Sequence, residues 1–233
     1  MQFKIIYEDK DILVVDKPAG IIVFNEQGAA NNKQKSLIDE LIKEKPELAE
    51  VGLPPRYGIV HRLDKDTSGV LLIAKSNEAL KFLQKQFINR AVEKKYICLV
   101  EGNIKENYGR IETLIGRAPG DKRKQRAYSL SETGPGRREA ITEYKVLERY
   151  DGYTLLEAQI KTGRRHQIRS HFSYLQHPIA GDKLYGFKNS KSPEGLTRQF
   201  LHSAYIKIQL PGGGIKEFKS DLPEELKQVL KIL

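Results

Sequence analysis

The sequence predicts an α+β fold, and three observations carry that reading. Strand-patterned runs are numerous along the 233 residues, helical runs fall among them irregularly rather than in a repeated strand-helix-strand wind, and the first two strand runs are close enough to form a hairpin. Length favours one sizeable domain over residues 1–233 with an uninterrupted core. No apolar stretch approaches the roughly 18 residues needed to span a bilayer, so no membrane partner is expected.

From the N-terminus, "FKIIYED" and "DILVVDKP" are strand-patterned around a charged turn, and Pro18-Ala19-Gly20 closes the second. "SLIDELIKE" follows Ser36, a plausible N-cap with Asp39 three positions on, and Leu37, Ile38, Leu41 and Ile42 recur at helical spacing. "GLPPRYG" is a turn leading into "GIVHRLDKDTSGVLLIAKS", whose "GVLLIAK" reads as a buried strand. "SNEALKFLQKQFINR" sets Leu80, Leu83 and Phe87 at helical spacing behind Ser76. Strands are expected at "KKYICLVEG", "GRIETLIG", "EAITEYKVLERY" and "GYTLLEAQIKTG". A helix at "RHQIRSHFSYLQ", a strand at "AYIKIQLPG" and a last helix "PEELKQVLKIL" with Pro223 at its start complete the chain. Residues 117–138 read as a long loop and 187–195 as a shorter one, while "PGGG" at 211–214 is a turn before a final strand.

Charge supplies the first functional clue. Forty Lys and Arg against 30 Asp and Glu leave +10, and the excess is concentrated. Between Arg117 and Arg138 seven basic residues face two acidic ones, and "KTGRRHQIRSH" from Lys161 to His171 holds four basic residues, two histidines and no acid. Such stripes suit a polyphosphate partner bound through counterion release. The plain alternative is a solvated basic face, and charge alone does not separate the two. One cysteine, Cys98, excludes an internal disulfide, and the acidic residues at the N-terminus are unlike a secretory or transit leader. Folding in the cytosol is the expectation.

The Walker, HExxH and GxSxG spacings are missing, and the five histidines form no ligand pair, so no metal or nucleotide cofactor is expected. What remains is carboxylates, basic residues and tyrosines. Asp64 lies in "HRLDKDTSG", where an Asp could simply serve the turn. As a nucleophile it would have to stay ionised, which an adjacent guanidinium from Arg62 or from "RRHQIR" would favour. Tyr96 could equally be an ordinary β-former alternating with Cys98 and Val100. Arg164, Arg165 and Arg169 could form a basic helix face, although the first two are adjacent and cannot point the same way.

The segments "YEDKDILVVDKPAGIIV", "GIVHRLDKDTSGVLLIAKS", "KKYICLVEG", "EAITEYKVLERY", "TGRRHQIRSHFSYLQHPIAGDKLYG" and "RQFLHSAYIKI" together resemble the RluA-type pseudouridine synthases, almost from end to end. The pairing of HRLDxxTSG with TGRxHQIRxH in this order is highly specific. Two positions depart from the family pattern: Arg165 stands where Thr is usual, and Ser170 where a small apolar residue is usual. Neither touches the Arg at the end of HQIR.

The resemblance implies a mixed, mostly antiparallel sheet with flanking helices and a central RNA-binding cleft. It implies Asp64 as the catalytic aspartate, Tyr96 stacked against the target base, and Arg169 paired with Asp64. Arg62 is the expected wedge that fills the gap left by an extruded base, and His61, Lys65, Arg164, Arg165 and His166 are expected to contact RNA. Isomerisation of uridine to pseudouridine is internal to the substrate and calls for no cofactor. The partner implied is structured RNA, with large-subunit ribosomal RNA favoured and tRNA open. A monomer without the S4 domain of many relatives is expected. Two other readings share these residues: an RNA-binding factor without catalysis, and an RNA N-glycosylase that would release free uracil.

Overall fold

The computed structural model describes residues 3–25, 34–190 and 192–233. In chain order its elements are β1 (Lys4–Glu8), β2 (Ile12–Lys17), α1 (Leu37–Glu44), β3 (Ser68–Ala74), α2 (Asn77–Ile88), β4 (Glu93–Glu101), β5 (Tyr108–Arg117), β6 (Gln125–Tyr128), β7 (Arg138–Tyr150), β8 (Tyr153–Ile160), α3 (Gln167–Tyr174), β9 (Leu201–Gln209), β10 (Ile215–Lys219) and α4 (Glu224–Lys231). This is the α+β class that the strand and helix patterns predict, with the mostly antiparallel sheet that the resemblance implies. Two compact units emerge, one made of Met1–Glu93 with Ser203–Asp221 and the other of Lys94–His202 with Leu222–Leu233.

In the first unit the strand order is β1-β2-β3-β9, with β10 paired to β9. The expected N-terminal hairpin forms because Asp9 Oδ1 accepts from the N–H groups of Asp11 and Ile12, both at 2.8 Å, closing the turn with its side chain. All seven residues of β3 are buried, as its unbroken apolar run demands. Leu80 and Leu83 of α2 pack with Val14, Leu72, Ile206 and Phe218 in the core of this unit. Ser36 and Asp39 form the capping box that starts α1, each side chain accepting from the other's backbone N–H. Gly69 has φ +115°, and a Cβ there would lie 2.2 Å from the Ser203 carbonyl oxygen, so only glycine lets the start of β3 approach β9.

The second unit runs β4-β8-β7-β5-β6, and all its recorded pairings are antiparallel. Leu226 and Val229 of α4 pack against Leu99, Leu155 and Phe200. Pro223 occupies the N-cap of α4, one residue ahead of the helix proper.

Two expectations need correction. The stretch 117–138 is not all loop: β6 pairs with β5 from Leu114 opposite Tyr128 to Arg117 opposite Gln125. Its basic composition hid a short strand whose Ala127 joins Ile115 and Ala140 in a small core. Helix α3 is also shorter than the apolar spacing suggested. His166 and Gln176 have φ of 53° and 65°, left-handed conformations that no helix continues through, so Arg164, Arg165 and His166 lie in the loop ahead of it. Of the expected loop at 187–195, position 191 lies outside the described residues. Among the described residues no helix is long and apolar enough to cross a membrane.

Candidate functional site

In the first unit the HRLDKDTSG segment is built against β3. Gly58 makes the approach possible: its carbonyl accepts from Ala74 N–H at 2.8 Å, and a Cβ would lie 2.2 Å from the Ala74 carbonyl oxygen. His61 then accepts from Leu72 N–H through Nε2 at 3.0 Å and stacks on Phe87 with centroids 5.1 Å apart. Its ring is thereby engaged with the β3 backbone and with α2. Arg62 is exposed, and its guanidinium lies 5.2 Å from the centroid of Phe24, a ring that Arg56 also approaches, at 5.0 Å. Leu63 is buried and anchors the loop. Half-buried Asp64 accepts from Thr67 N–H through its carbonyl at 3.1 Å, while Lys65 is exposed.

The device that holds this loop was not anticipated. Lys17 is fully buried, and its ammonium donates to three carbonyls, those of Pro18 at 2.7 Å, Ile21 at 2.9 Å and Lys65 at 3.0 Å. Gly20 N–H donates to the same Lys65 carbonyl at 2.9 Å. The 17–21 turn is thus tied to the backbone directly after Asp64. In the sequence Lys17 reads only as the residue that ends a strand, because nothing local says that an ammonium will be used as a three-donor clamp.

In the second unit Tyr96 lies on β4 opposite Ala158 and is 7% exposed. Lys94 shares its face of the strand, and burial draws the Lys94 ammonium down to about 8. The TGRRHQIRSH segment is anchored by a buried polar network. Thr162 Oγ1 accepts from Ile141 N–H at 3.0 Å and donates to Gln167 Oε1 at 2.8 Å. Gln167 Nε2 in turn donates to Ile141 O and to Thr142 Oγ1, both at 3.0 Å. His171 bridges Thr142 and Thr113 at 2.9 and 3.0 Å, and burial draws it to about 4, so its ring is neutral and structural.

Arg169 is 7% exposed rather than part of a solvated basic face. It makes a bidentate pair with Asp182, Nε to Oδ2 at 2.6 Å and Nη2 to Oδ1 at 2.8 Å. Asp182 Oδ1 also accepts from the N–H groups of Leu184 and Tyr185 at 2.9 and 3.0 Å, and the guanidinium carbon lies 4.9 Å from the Tyr185 ring centroid. Asp182 and Tyr185 stand in the quoted "HPIAGDKLYG", yet their part in holding Arg169 had no signal in spacing. Arg164 Nε donates to Glu139 O at 2.9 Å, Arg165 Nη2 to Arg123 O at 3.3 Å, and His166 Nδ1 hydrogen-bonds Tyr185 OH at 2.9 Å. Among the described residues no three His, Cys, Asp or Glu side chains group as metal ligands would.

Comparison with known proteins gives this arrangement a family. Residues 11–174 match the model of the RNA pseudouridylate synthase family. An uncharacterized RNA pseudouridine synthase of Aquifex aeolicus is 46% identical over 194 residues, covering 82% of this chain and 58% of its own length. The uncharacterized RNA pseudouridine synthase YlyB of Bacillus subtilis is 37% identical over all of this chain and 73% of its own length. Ribosomal large subunit pseudouridine synthase D of Xylella fastidiosa is 37% identical over 98% of this chain and 69% of its own. The chain therefore spans about three fifths to three quarters of these relatives. A solved structure titled human RNA pseudouridylate synthase domain containing 1 superposes with a TM-score of 0.74 at 26% identity, covering 99% of this chain and 94% of that one. With a family match over residues 11–174 and relatives of 35–46% identity, the chain belongs to the RNA pseudouridylate synthase family, in its RluA-type branch.

Proposed function

We propose that this protein isomerises uridine to pseudouridine in structured RNA, with large-subunit ribosomal RNA as its substrate. The observation that carries the reading is the joint presence of the HRLDKDTSG and TGRRHQIRSH segments, the first held by part-buried and the second by buried hydrogen bonds, in a chain of this family. The substrate class follows the relatives named for the large ribosomal subunit and the net charge of +10.

In this reading the target nucleotide is flipped from the RNA at a cost of a few kcal/mol, offset by contacts between phosphates and the basic stripes. Asp64 is the catalytic carboxylate, Arg169 keeps it ionised, and Tyr96 stacks on the base. Arg62, with the other basic residues of the two segments, holds the RNA. The C1′–N1 bond breaks, the uracil turns, C1′ joins C5, and the C5 proton leaves to Tyr96 or to water. Asp64 serves the first step by attack on C1′, by addition at C6, or by removal of the C2′ proton to give a glycal. Tyr96→Phe is expected to lower kcat by about 10²-fold with KM unchanged, because stacking survives and the phenol is lost. Unchanged kcat in single-turnover assays would leave Tyr96 as a platform only.

The deciding assay is tritium release from RNA labelled at C5 of uridine, using total RNA from a strain lacking the protein. Release by the wild type, with no free uracil, is expected. Free uracil would establish a glycosylase instead. Salt-sensitive RNA binding without tritium release would establish a binding factor.

A further inference from the structure

A groove lies within the second unit, between the β5–β6 hairpin and α3. Its volume is about 450 Å³, in the range of sites that take small ligands, ~300–1,000 Å³. Lys124 and Arg126 line it from the hairpin, and Ser173, Tyr174 and Gln176 line it from α3 and the turn that follows. Ser173, Tyr174 and Gln176 have no part in the isomerisation proposed above, and Lys124 and Arg126 belong to the basic stripe assigned there to phosphates.

The hairpin is fastened beside α3 rather than left to swing. Tyr185 OH accepts from Gln125 N–H at 2.7 Å and also hydrogen-bonds His166 Nδ1 at 2.9 Å. Arg165, one of the two departures from the family pattern, donates to the Arg123 carbonyl at 3.3 Å. Ser170, the other departure, is itself part of the groove lining. Through Tyr185 the groove is joined to Arg169, whose guanidinium lies against the same ring.

The chemistry of the lining suits one partner. Tyr174 is 44% exposed and offers an aromatic face, which stacks on any base that is not already paired and stacked. Lys124 and Arg126 supply cationic donors for a phosphate, and Gln176 an amide for a base edge. Glu132 is the acid in the lining. Its carboxylate accepts from Ser129 N–H at 2.9 Å and lies in the field of Arg126 and Arg137, so the local charge remains positive.

The geometry points to a second RNA subsite that takes an unpaired nucleotide of the substrate RNA, its base on Tyr174 and its phosphate on Lys124 and Arg126. This rests on the RNA reading above and adds to it a place for a further, unpaired nucleotide.

The test is equilibrium binding of the full chain and its Tyr174→Ala, Tyr174→Phe and Arg126→Gln variants to two probes. One is large-subunit ribosomal RNA transcribed in vitro, and the other a fully paired RNA duplex. Tyr174→Ala is expected to weaken binding to the transcript about tenfold and to leave duplex binding unchanged, with Tyr174→Phe matching the wild type. Arg126→Gln should weaken binding to the transcript and lower the salt slope by about one. Binding of Tyr174→Ala within twofold of wild type on the transcript, or an equal loss on both probes, would overturn the subsite. Because the readout is binding, the groove can fail while the wild type still releases tritium. A tenfold loss with no tritium release would keep the groove and sink the isomerase.

Discussion

Asp64→Ala is expected to lower turnover by about four orders of magnitude or more while RNA binding stays within a few-fold of wild type. The separation follows from how the loop is built. Its backbone is held by the Lys65 carbonyl, which receives both the Lys17 ammonium and Gly20 N–H, and by the Thr67 N–H bond to the Asp64 carbonyl. None of these uses the Asp64 carboxylate, so its removal leaves those bonds standing. In the proposed mechanism the carboxylate is the group on which bond cleavage depends, whichever of the three routes it takes. Tritium release and filter binding on the same preparation measure the two halves. Turnover of Asp64→Ala near the wild-type rate would remove Asp64 from the chemistry, and loss of binding with loss of turnover would make it a structural residue of the loop.

The largest expected effect on stability belongs to Asp182. Its side chain is fully buried and accepts two donors from Arg169 and the N–H groups of Leu184 and Tyr185. Asp182→Ala leaves a guanidinium that is 8% exposed without its bidentate partner and strands two backbone donors. Removing one member of a buried pair costs about 3–5 kcal/mol, because the carboxylate that balanced the charge out of water is gone. For a chain of this size that is a fall in Tm of roughly 6–20 °C. Asp182→Asn should fall less, since an amide oxygen can still accept from the two N–H groups. Thermal unfolding of the three proteins checks the order. A Tm for Asp182→Ala within about 2 °C of wild type, the shift of roughly 1 kcal/mol or less, would show that the pair contributes little to this fold.

Much of the fold could be read from local pattern. The Ser36–Asp39 capping box, the Ser76 start of α2, the buried run of β3 and the β9–β10 turn at "PGGG" each rest on residues within a few positions of one another. The misses share a cause. β6 is a strand because β5 offers it hydrogen bonds and a small apolar core, not because "QRAY" has a strand pattern of its own. The ends of α3 are set by left-handed residues at 166 and 176, which periodicity cannot see.

The candidate site divides in the same way. From the sequence, the resemblance carried by the quoted segments singled out Asp64, Tyr96 and Arg169, while charge by itself left an RNA partner and a solvated basic face undivided. Only the tertiary structure decided what holds them: Lys17 clamping the carbonyl after Asp64, Asp182 forking onto Arg169, and Tyr185 joining β6 to α3. Those partners lie 13 to 60 positions apart in the chain. A lysine, an aspartate or a tyrosine shows no local sign of such a bond. The need for it arises only when folding takes the group out of water and a distant donor or acceptor must replace the water it loses.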